Sequence, residues 1–199
     1  MNDPLARLTD KVLLLDWSDK NWGHSLLRGE SPSYLTVHET GNTNPGADAE
    51  MHAKFVKNGG GEHSVSFHAV VDEYESWQML QWNWVAWHAS DGGGDGNYDS
   101  VAIETCQIGD FGATCERLAQ LLAKLRREFG IPQANIRQHH DWAPDKKNCP
   151  QYIRSGRHGV TWESLLARVA VLYGTDESGE APASPSPYVG GWQTMWRSL

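Results

Sequence analysis

Tyr34-Leu35-Thr36-Val37-His38-Glu39-Thr40 alternates apolar and polar side chains, the period of an extended strand. Leu35 and Val37 fall on one face, while Thr36, His38 and Thr40 fall on the other. The segment 100–106 repeats the pattern: Val101, Ile103 and Thr105 face one way, and Ala102, Glu104 and Cys106 the other. Two such strands, with His38 and Glu104 each on the face opposite the apolar one, predict a sheet whose one face holds core and whose other face holds chemistry. Further strands are expected at 65–71 and 77–81, joined by the acidic turn Asp72-Glu73-Tyr74-Glu75.

Helical patterns alternate with these strands. A helix is expected from Asp48 towards Lys57, with Met51 and Phe55 inward and Gly59-Gly60-Gly61 ending it. Leu118, Leu121, Leu122, Leu125 and Phe129 recur at helical spacing before Gly130 and Pro132, and Lys124, Arg126 and Arg127 sit where a helix C-terminus favours cations. A last helix is expected from Thr161 as N-cap, burying Trp162, Leu165, Leu166 and Val169. Strands alternating with helices in one chain give an α/β single domain: a central mixed β-sheet flanked by helices on both faces.

The chain has 199 residues, 39% of them hydrophobic and 21% charged, with a formal net charge of -8. That length supports one domain with tails. The acidic balance argues against a nucleic-acid partner, since phosphate contact depends on clustered Lys and Arg. No basic stretch followed by a long apolar run opens the chain, and no segment approaches the about 20 apolar residues of a transmembrane helix. Synthesis in the cytoplasm without a signal peptide is the expectation. The composition divides the chain into an N-terminal extension (1–31), a domain (32–173), a linker rich in Asp, Glu, Ser, Ala and Pro (174–187), and a tail (188–199) bearing Trp192 and Trp196. The ten tryptophans exceed what one core needs.

The stretch His139-His140-Asp141-Trp142-Ala143-Pro144-Asp145-Lys146-Lys147-Asn148-Cys149-Pro150 brings imidazole, ammonium and thiol within a dozen residues. Zinc takes imidazole nitrogen and thiolate sulfur, and a catalytic zinc keeps three protein ligands with one position open. This stretch offers two ligands, and His38 is the best third. Alone, His38 would be read as a hydrogen-bonded structural residue; with His139 and Cys149 it completes a ligand set. Glu104 is either a surface ion-pair partner or a general base for zinc-activated water. Lys147, otherwise a solvated loop lysine, stands where an ammonium would face an oxyanion. The three cysteines include no CxxC pair, which excludes a four-cysteine zinc site; Cys106 and Cys115 are read as buried thiols, with a disulfide as the alternative. The loop Asp91-Gly92-Gly93-Gly94-Asp95-Gly96-Asn97 hints at calcium, but position twelve of an EF-hand counted from Asp91 is Ala102, not glutamate. It is read as a flexible rim of a cleft. No Gly-Lys-Ser/Thr follows a glycine run, so nucleotide binding has no support.

These pieces together resemble the type-2 zinc N-acetylmuramoyl-L-alanine amidases, a family that includes phage endolysins and peptidoglycan recognition proteins. Over roughly 32–173, the resemblance rests on Val37-His38-Glu39-Thr40, Ser64-Val65-Ser66-Phe67-His68-Ala69-Val70-Val71-Asp72, Trp87-His88-Ala89, Gly96-Asn97, Val101-Ala102-Ile103-Glu104 and Lys147-Asn148-Cys149-Pro150. It is greatest to the phage and prophage endolysin branch. The resemblance implies zinc ligands at His38, His139 and Cys149, a catalytic glutamate at Glu104 and a catalytic lysine at Lys147, with the zinc at one open edge of the sheet. His139 and Cys149 are separated by nine residues, two more than is usual in the family, and 144–146 is expected to absorb the insertion. Some members carry a tyrosine where this chain has Phe67. His68, Trp87 and His88 are expected to line the substrate cleft, His88 being the better of the two histidines.

The implied activity is a zinc-dependent hydrolase acting on bacterial peptidoglycan as a monomer. It would cleave the amide between N-acetylmuramic acid and L-alanine, as a phage or prophage endolysin reaching the wall after holin-mediated release. The alternatives are a non-catalytic peptidoglycan-binding module and a cytoplasmic muropeptide-recycling amidase. Recognition proteins that do not cleave typically lack the cysteine found at Cys149, which favours catalysis.

Overall fold

The computed structural model describes residues 11–62 and 64–174, so the expected linker and tryptophan tail lie outside the described residues. In chain order the elements are β1 (Lys11–Val12), β2 (Tyr34–Glu39), α1 (Ala49–Lys57), β3 (Ala69–Val71), β4 (Ser76–Gln78), α2 (Asp95–Tyr98), β5 (Ser100–Thr105), α3 (Phe111–Phe129), β6 (Ile136–Gln138), α4 (His139–Trp142), α5 (Gln151–Ser155) and α6 (Trp162–Gly174). One six-stranded sheet runs in the order β1-β4-β3-β5-β2-β6. Only β3 and β4 pair antiparallel; β1 with β4, β3 with β5, β5 with β2 and β2 with β6 are parallel. This is the expected mixed α/β sheet. None of the helices among the described residues is long and apolar enough to cross a membrane.

Strand alternation sorts the core into two layers. Leu35, Val37, Val101 and Ile103 point to one face and join Leu118, Leu121, Leu122 and Leu125 of α3 and Leu165, Val169 and Leu172 of α6. Ala102, Val70 and Cys106 point to the opposite face, against Ala49, Ala53 and Val56 of α1. Each fully buried leucine contributes about 2 kcal/mol, so α3, with four of them at 0% exposure, anchors the larger layer. Asp110 caps this helix by accepting from the Ala113 N–H at 3.0 Å, and Gly130 ends it in the left-handed region at φ 67°. The Arg127 guanidinium donates to the Tyr173 and Leu172 carbonyls at the end of α6, satisfying carbonyls that a helix C-terminus leaves open. Cys115 belongs to one layer and Cys106 to the other. With the sheet between them both are free thiols.

Several sequence expectations need correction. In α1 the inward residues are Ala49, His52, Ala53 and Val56; Met51 is only half-buried and Phe55 is 45% exposed. The small residues at this helical spacing allow close approach to the sheet, which rotates Phe55 towards the cleft. The strands expected at 65–71 and 77–81 shorten to Ala69–Val71 and Ser76–Gln78. The residues lost from β3 are 65–68, at its start; its end at Val71 is as expected, and there Asp72 accepts from the Tyr74 and Glu75 N–H groups at 2.7 and 2.8 Å, an Asx turn. Ahead of residue 32, described residues also pack on the sheet. β1 pairs with β4, and Leu15, Trp22 and Leu27 are at most 2% exposed.

Candidate metal centre and cleft

The register of the parallel strands creates the site. His38 of β2 lies opposite Glu104 of β5, and because they are register partners in a parallel pair their side chains leave the same face. His38 Nδ1 is 3.9 Å from Glu104 Oε1. On the other side of β2, β6 pairs Gln138 with Val37, so the chain reaches His139 beside His38; their rings are 4.5 Å apart. Cys149 arrives from the following loop, with Sγ 4.0 Å from His38 Nδ1. Ligand atoms of His38, His139 and Cys149 all lie within 4.8 Å of one another, and all three residues are buried. The predicted ligand set thus converges towards the β6 side of the sheet.

Glu39 places the cysteine. Its backbone N–H donates to Cys149 Sγ at 3.5 Å. Its carboxylate accepts from Tyr152 N at 2.8 Å and Ile153 N at 2.9 Å, the first turn of α5, and from Gln107 Nε2 at 2.6 Å. Burial raises the pKa of Glu39, opposed by the Tyr152, Ile153 and Gln107 hydrogen bonds. The neighbouring His140 serves the loop and not the cluster, its Nδ1 lying 2.9 Å from the Lys146 carbonyl and 3.1 Å from that of Lys147. That ring ties down the loop carrying the inserted residues, leaving His139 as the member of the pair that faces the cluster.

The electrostatics are those of a buried site. Burial pushes the Glu104 carboxyl up to about 8; the Lys147 ammonium pulls against this and Glu39 adds to it. Burial also pushes the Cys149 thiol up to about 12 and His139 down to about 4, where Lys147 adds to the effect. His38 lies well below its ordinary value, again through burial first and then His139, His88 and Lys147. Glu104 Oε2 is buried with no hydrogen-bond partner, a costly arrangement for a polar atom. Two imidazoles, a thiol and an orphaned carboxylate oxygen match what a divalent cation would satisfy, and the donor set suits zinc.

A cleft of about 390 Å³ opens above the cluster, lined by Phe55, Val65 and Phe67 on one wall and by Thr40, Lys147, Asn148 and Gln151 elsewhere. Trp87 and His88 also line it. His68 does not, which corrects the sequence expectation. It is 0% exposed, its Nδ1 accepts from Ala102 N at 2.9 Å, and its Nε2 lies 2.8 Å from the Trp84 carbonyl. Both nitrogens serve the backbone, so His68 is a structural bolt between β5 and the loop after β4. The glycine-rich loop is also more than a flexible rim. Asp91 accepts from Gly96 N and Asn97 N at 2.7 and 3.2 Å, and Asn97 Oδ1 accepts from His88 N and Ala89 N at 2.9 and 2.8 Å.

Sequence reasoning assigns no role to Glu39 or Asn97. The signals present are a charged residue one position beyond a candidate ligand, and an asparagine ending a glycine run, a type that braces turns.

The comparisons with known proteins agree with this geometry. The family model described as N-acetylmuramoyl-L-alanine amidase matches residues 28–152. The chain is 38% identical over 141 residues to the N-acetylmuramoyl-L-alanine amidase XlyA of Bacillus subtilis, covering 70% of this chain and 44% of the relative. It is 38% identical over 160 residues to CwlH of the same organism, covering 79% and 58%. The chain therefore spans about half the length of these curated relatives. Among solved structures, the catalytic domain of XlyA superposes with a TM-score of 0.70 at 34% identity, covering 79% of this chain and 98% of that one. A mutant endolysin from Bacillus subtilis gives 0.70 at 33% identity, covering 79% and 97%. With a family model spanning most of the sheet and both halves of the ligand cluster, the chain belongs to the type-2 N-acetylmuramoyl-L-alanine amidase family.

Proposed function

We propose that this chain hydrolyses the amide between the lactyl group of N-acetylmuramic acid and L-alanine in bacterial peptidoglycan, with zinc held by His38, His139 and Cys149. The observation that carries this reading is Glu104, whose buried Oε2 has no partner while its Oε1 stands 3.9 Å from His38 on the floor of an open cleft. When bound, zinc supplies Lewis acidity that activates water near neutral pH and polarises a carbonyl. Glu104 accepts the proton of the attacking water and delivers it to the leaving alanine nitrogen. Lys147, on the cleft wall, holds its ammonium towards the oxygen that gains charge as the carbonyl becomes tetrahedral. Phe67 offers no hydroxyl, so proton transfer falls to Glu104. Trp87 is a candidate contact for substrate from the cleft rim.

The similarity to a solved Bacillus subtilis endolysin supports an endolysin role: the protein is made in the cytoplasm and reaches the wall once a membrane pore opens. In this reading the domain 32–173 is catalytic, and 174–187 tethers the tryptophan-bearing tail. The test is purified peptidoglycan incubated with zinc-loaded protein, scoring new alanine amino groups and new reducing sugar ends. Amino groups rising alone, and stopping with EDTA, are expected. Sedimentation with the wall and no new amino groups would instead establish a binding module. Turnover of small anhydro-muropeptides but not polymeric wall would point to recycling.

A further inference from the structure

His88 faces the proposed centre from behind. His38 turns Nδ1 towards Cys149 and Glu104, at 4.0 and 3.9 Å, and its other nitrogen, Nε2, lies 3.0 Å from His88 Nδ1. The two rings are inclined at 82°, so they do not stack, and the contact between them is the hydrogen bond from nitrogen to nitrogen. A ligating imidazole is neutral and carries its proton on the nitrogen away from the metal. His38 Nε2 must then donate, and His88 Nδ1 must accept. That fixes the His88 proton on Nε2, a buried atom, with the Gly96 and Ser100 backbone beside the ring.

The backbone around His88 is built to hold this orientation. Asn97 Oδ1 accepts both the His88 and Ala89 N–H groups, and Asn97 Nδ2 donates to the Gly92 carbonyl at 2.9 Å. A Cβ on Gly96 would lie 2.5 Å from Ala89 Cβ and 2.8 Å from Trp142 Cγ, so the loop closes only with glycine there. The glycine-rich stretch therefore aims an imidazole at the back of His38.

We infer that His88 is a positioning residue which fixes the tautomer and ring orientation of His38 through a neutral Nδ1 acceptor. This rests on the zinc reading above. The charge count gives a reason for an imidazole where a carboxylate is common. A zinc dication and the Lys147 ammonium against the Cys149 thiolate and the Glu104 and Glu39 carboxylates already sum to zero. A further buried anion would have no counter-charge, whereas an imidazole accepts the hydrogen bond and adds no charge.

The test is zinc affinity by competition with a chromophoric chelator, for the wild type, His88→Phe and His88→Asn. The asparagine oxygen occupies the position of Nδ1 and restores the acceptor; phenylalanine keeps the ring and removes it. Loss of an outer-shell partner costs about 10–100-fold in metal affinity, so His88→Phe is expected to fall in that range and His88→Asn to recover most of it. The cobalt-substituted proteins should show an altered visible spectrum for His88→Phe and a near-native one for His88→Asn. Equal affinity and an unchanged cobalt spectrum in His88→Phe would overturn the inference, as would equal losses in both variants, which would mark a steric role. If the wild type itself bound no zinc, the underlying metal reading would fail instead.

Discussion

Replacing Glu39 by glutamine should loosen the metal site without touching a ligand. The carboxylate, 8% exposed, accepts from Tyr152 N and Gln107 on Oε2 and from Ile153 N on Oε1. Glutamine keeps one oxygen. In its best orientation the new NH2 takes the place of Oε1 and confronts the Ile153 N–H, leaving one buried donor unsatisfied at about 1–3 kcal/mol and weakening the other two bonds from charge-assisted to neutral. Relief of the buried charge, whose pKa burial raises, returns part of this. The net cost is about 2 kcal/mol, and about 4 kcal/mol for Glu39→Ala, which removes every acceptor. For a domain of this size 1 kcal/mol shifts Tm by roughly 2–4 °C, so Glu39→Gln should melt about 4–8 °C lower. Because α5 begins two residues after Cys149, the same change should weaken zinc binding in the chelator competition. Thermal unfolding of the metal-stripped protein isolates the first effect from the second. A Tm within 1 °C of wild type together with unchanged zinc affinity would refute the argument that Glu39 couples α5 to the thiol.

Four further outcomes are expected. Glu104→Gln should retain zinc while amide hydrolysis drops about 10²–10⁴-fold, the usual worth of a general base; full activity in the metallated variant would remove Glu104 from the reaction. Cys149→Ala should lose zinc and activity together, checked by metal analysis after dialysis, and a fully metallated, active variant would refute the ligand assignment. Gly96→Ala should destabilise by about 1–3 kcal/mol in urea denaturation, because its Cβ meets Ala89 and Trp142 too closely; an unchanged midpoint would mean the loop yields freely. His68, held down at about 4 by burial against an ordinary 6.5, stays neutral in the fold while the unfolded chain takes up its proton below 6.5. Stability therefore falls as pH drops from 6.5 towards 4, by about 2 kcal/mol at pH 5, and urea midpoints of metal-stripped His68→Gln should depend less on pH than those of wild type; parallel slopes would contradict the shift.

The sheet and the ligand cluster were legible because they follow from period and residue type. Alternation in 34–40 and 100–106 fixes which side chains share a face, and His38 and Glu104 fall on the same one whichever way the strands pair. The long leucine stripe of α3 is equally explicit, since an apolar ridge at helical spacing must be buried against another layer, here the sheet and α6. Legibility failed where tertiary packing overrides period. β3 begins only at Ala69, because the apolar run before it, which reads as strand, spends Val65 and Phe67 on the cleft wall. In α1 the large apolar residues suggest the inward face, but close helix–sheet contact selects the small ones, Ala49 and Ala53, and turns Phe55 outward.

The histidines show the same limit at the level of single residues. His68 and His88 share a local signature, an imidazole between an aromatic residue and an alanine, and His139 and His140 are adjacent, so local pattern does not separate the two members of either pair by role. What separates them is where each ring nitrogen ends. Both nitrogens of His68 end on backbone groups; one nitrogen of His140 ends on loop carbonyls; that of His88 ends on His38; and His139 Nε2 meets Ser90 Oγ at 3.2 Å, leaving its other nitrogen for the cluster. These endpoints are set by contacts spanning up to 50 residues of chain, which no local pattern encodes. A ligand can be recognised from residue type because zinc chemistry admits few types. The residue that aims the ligand can be any acceptor at the right distance, so its identity emerges only when the fold brings the two nitrogens together.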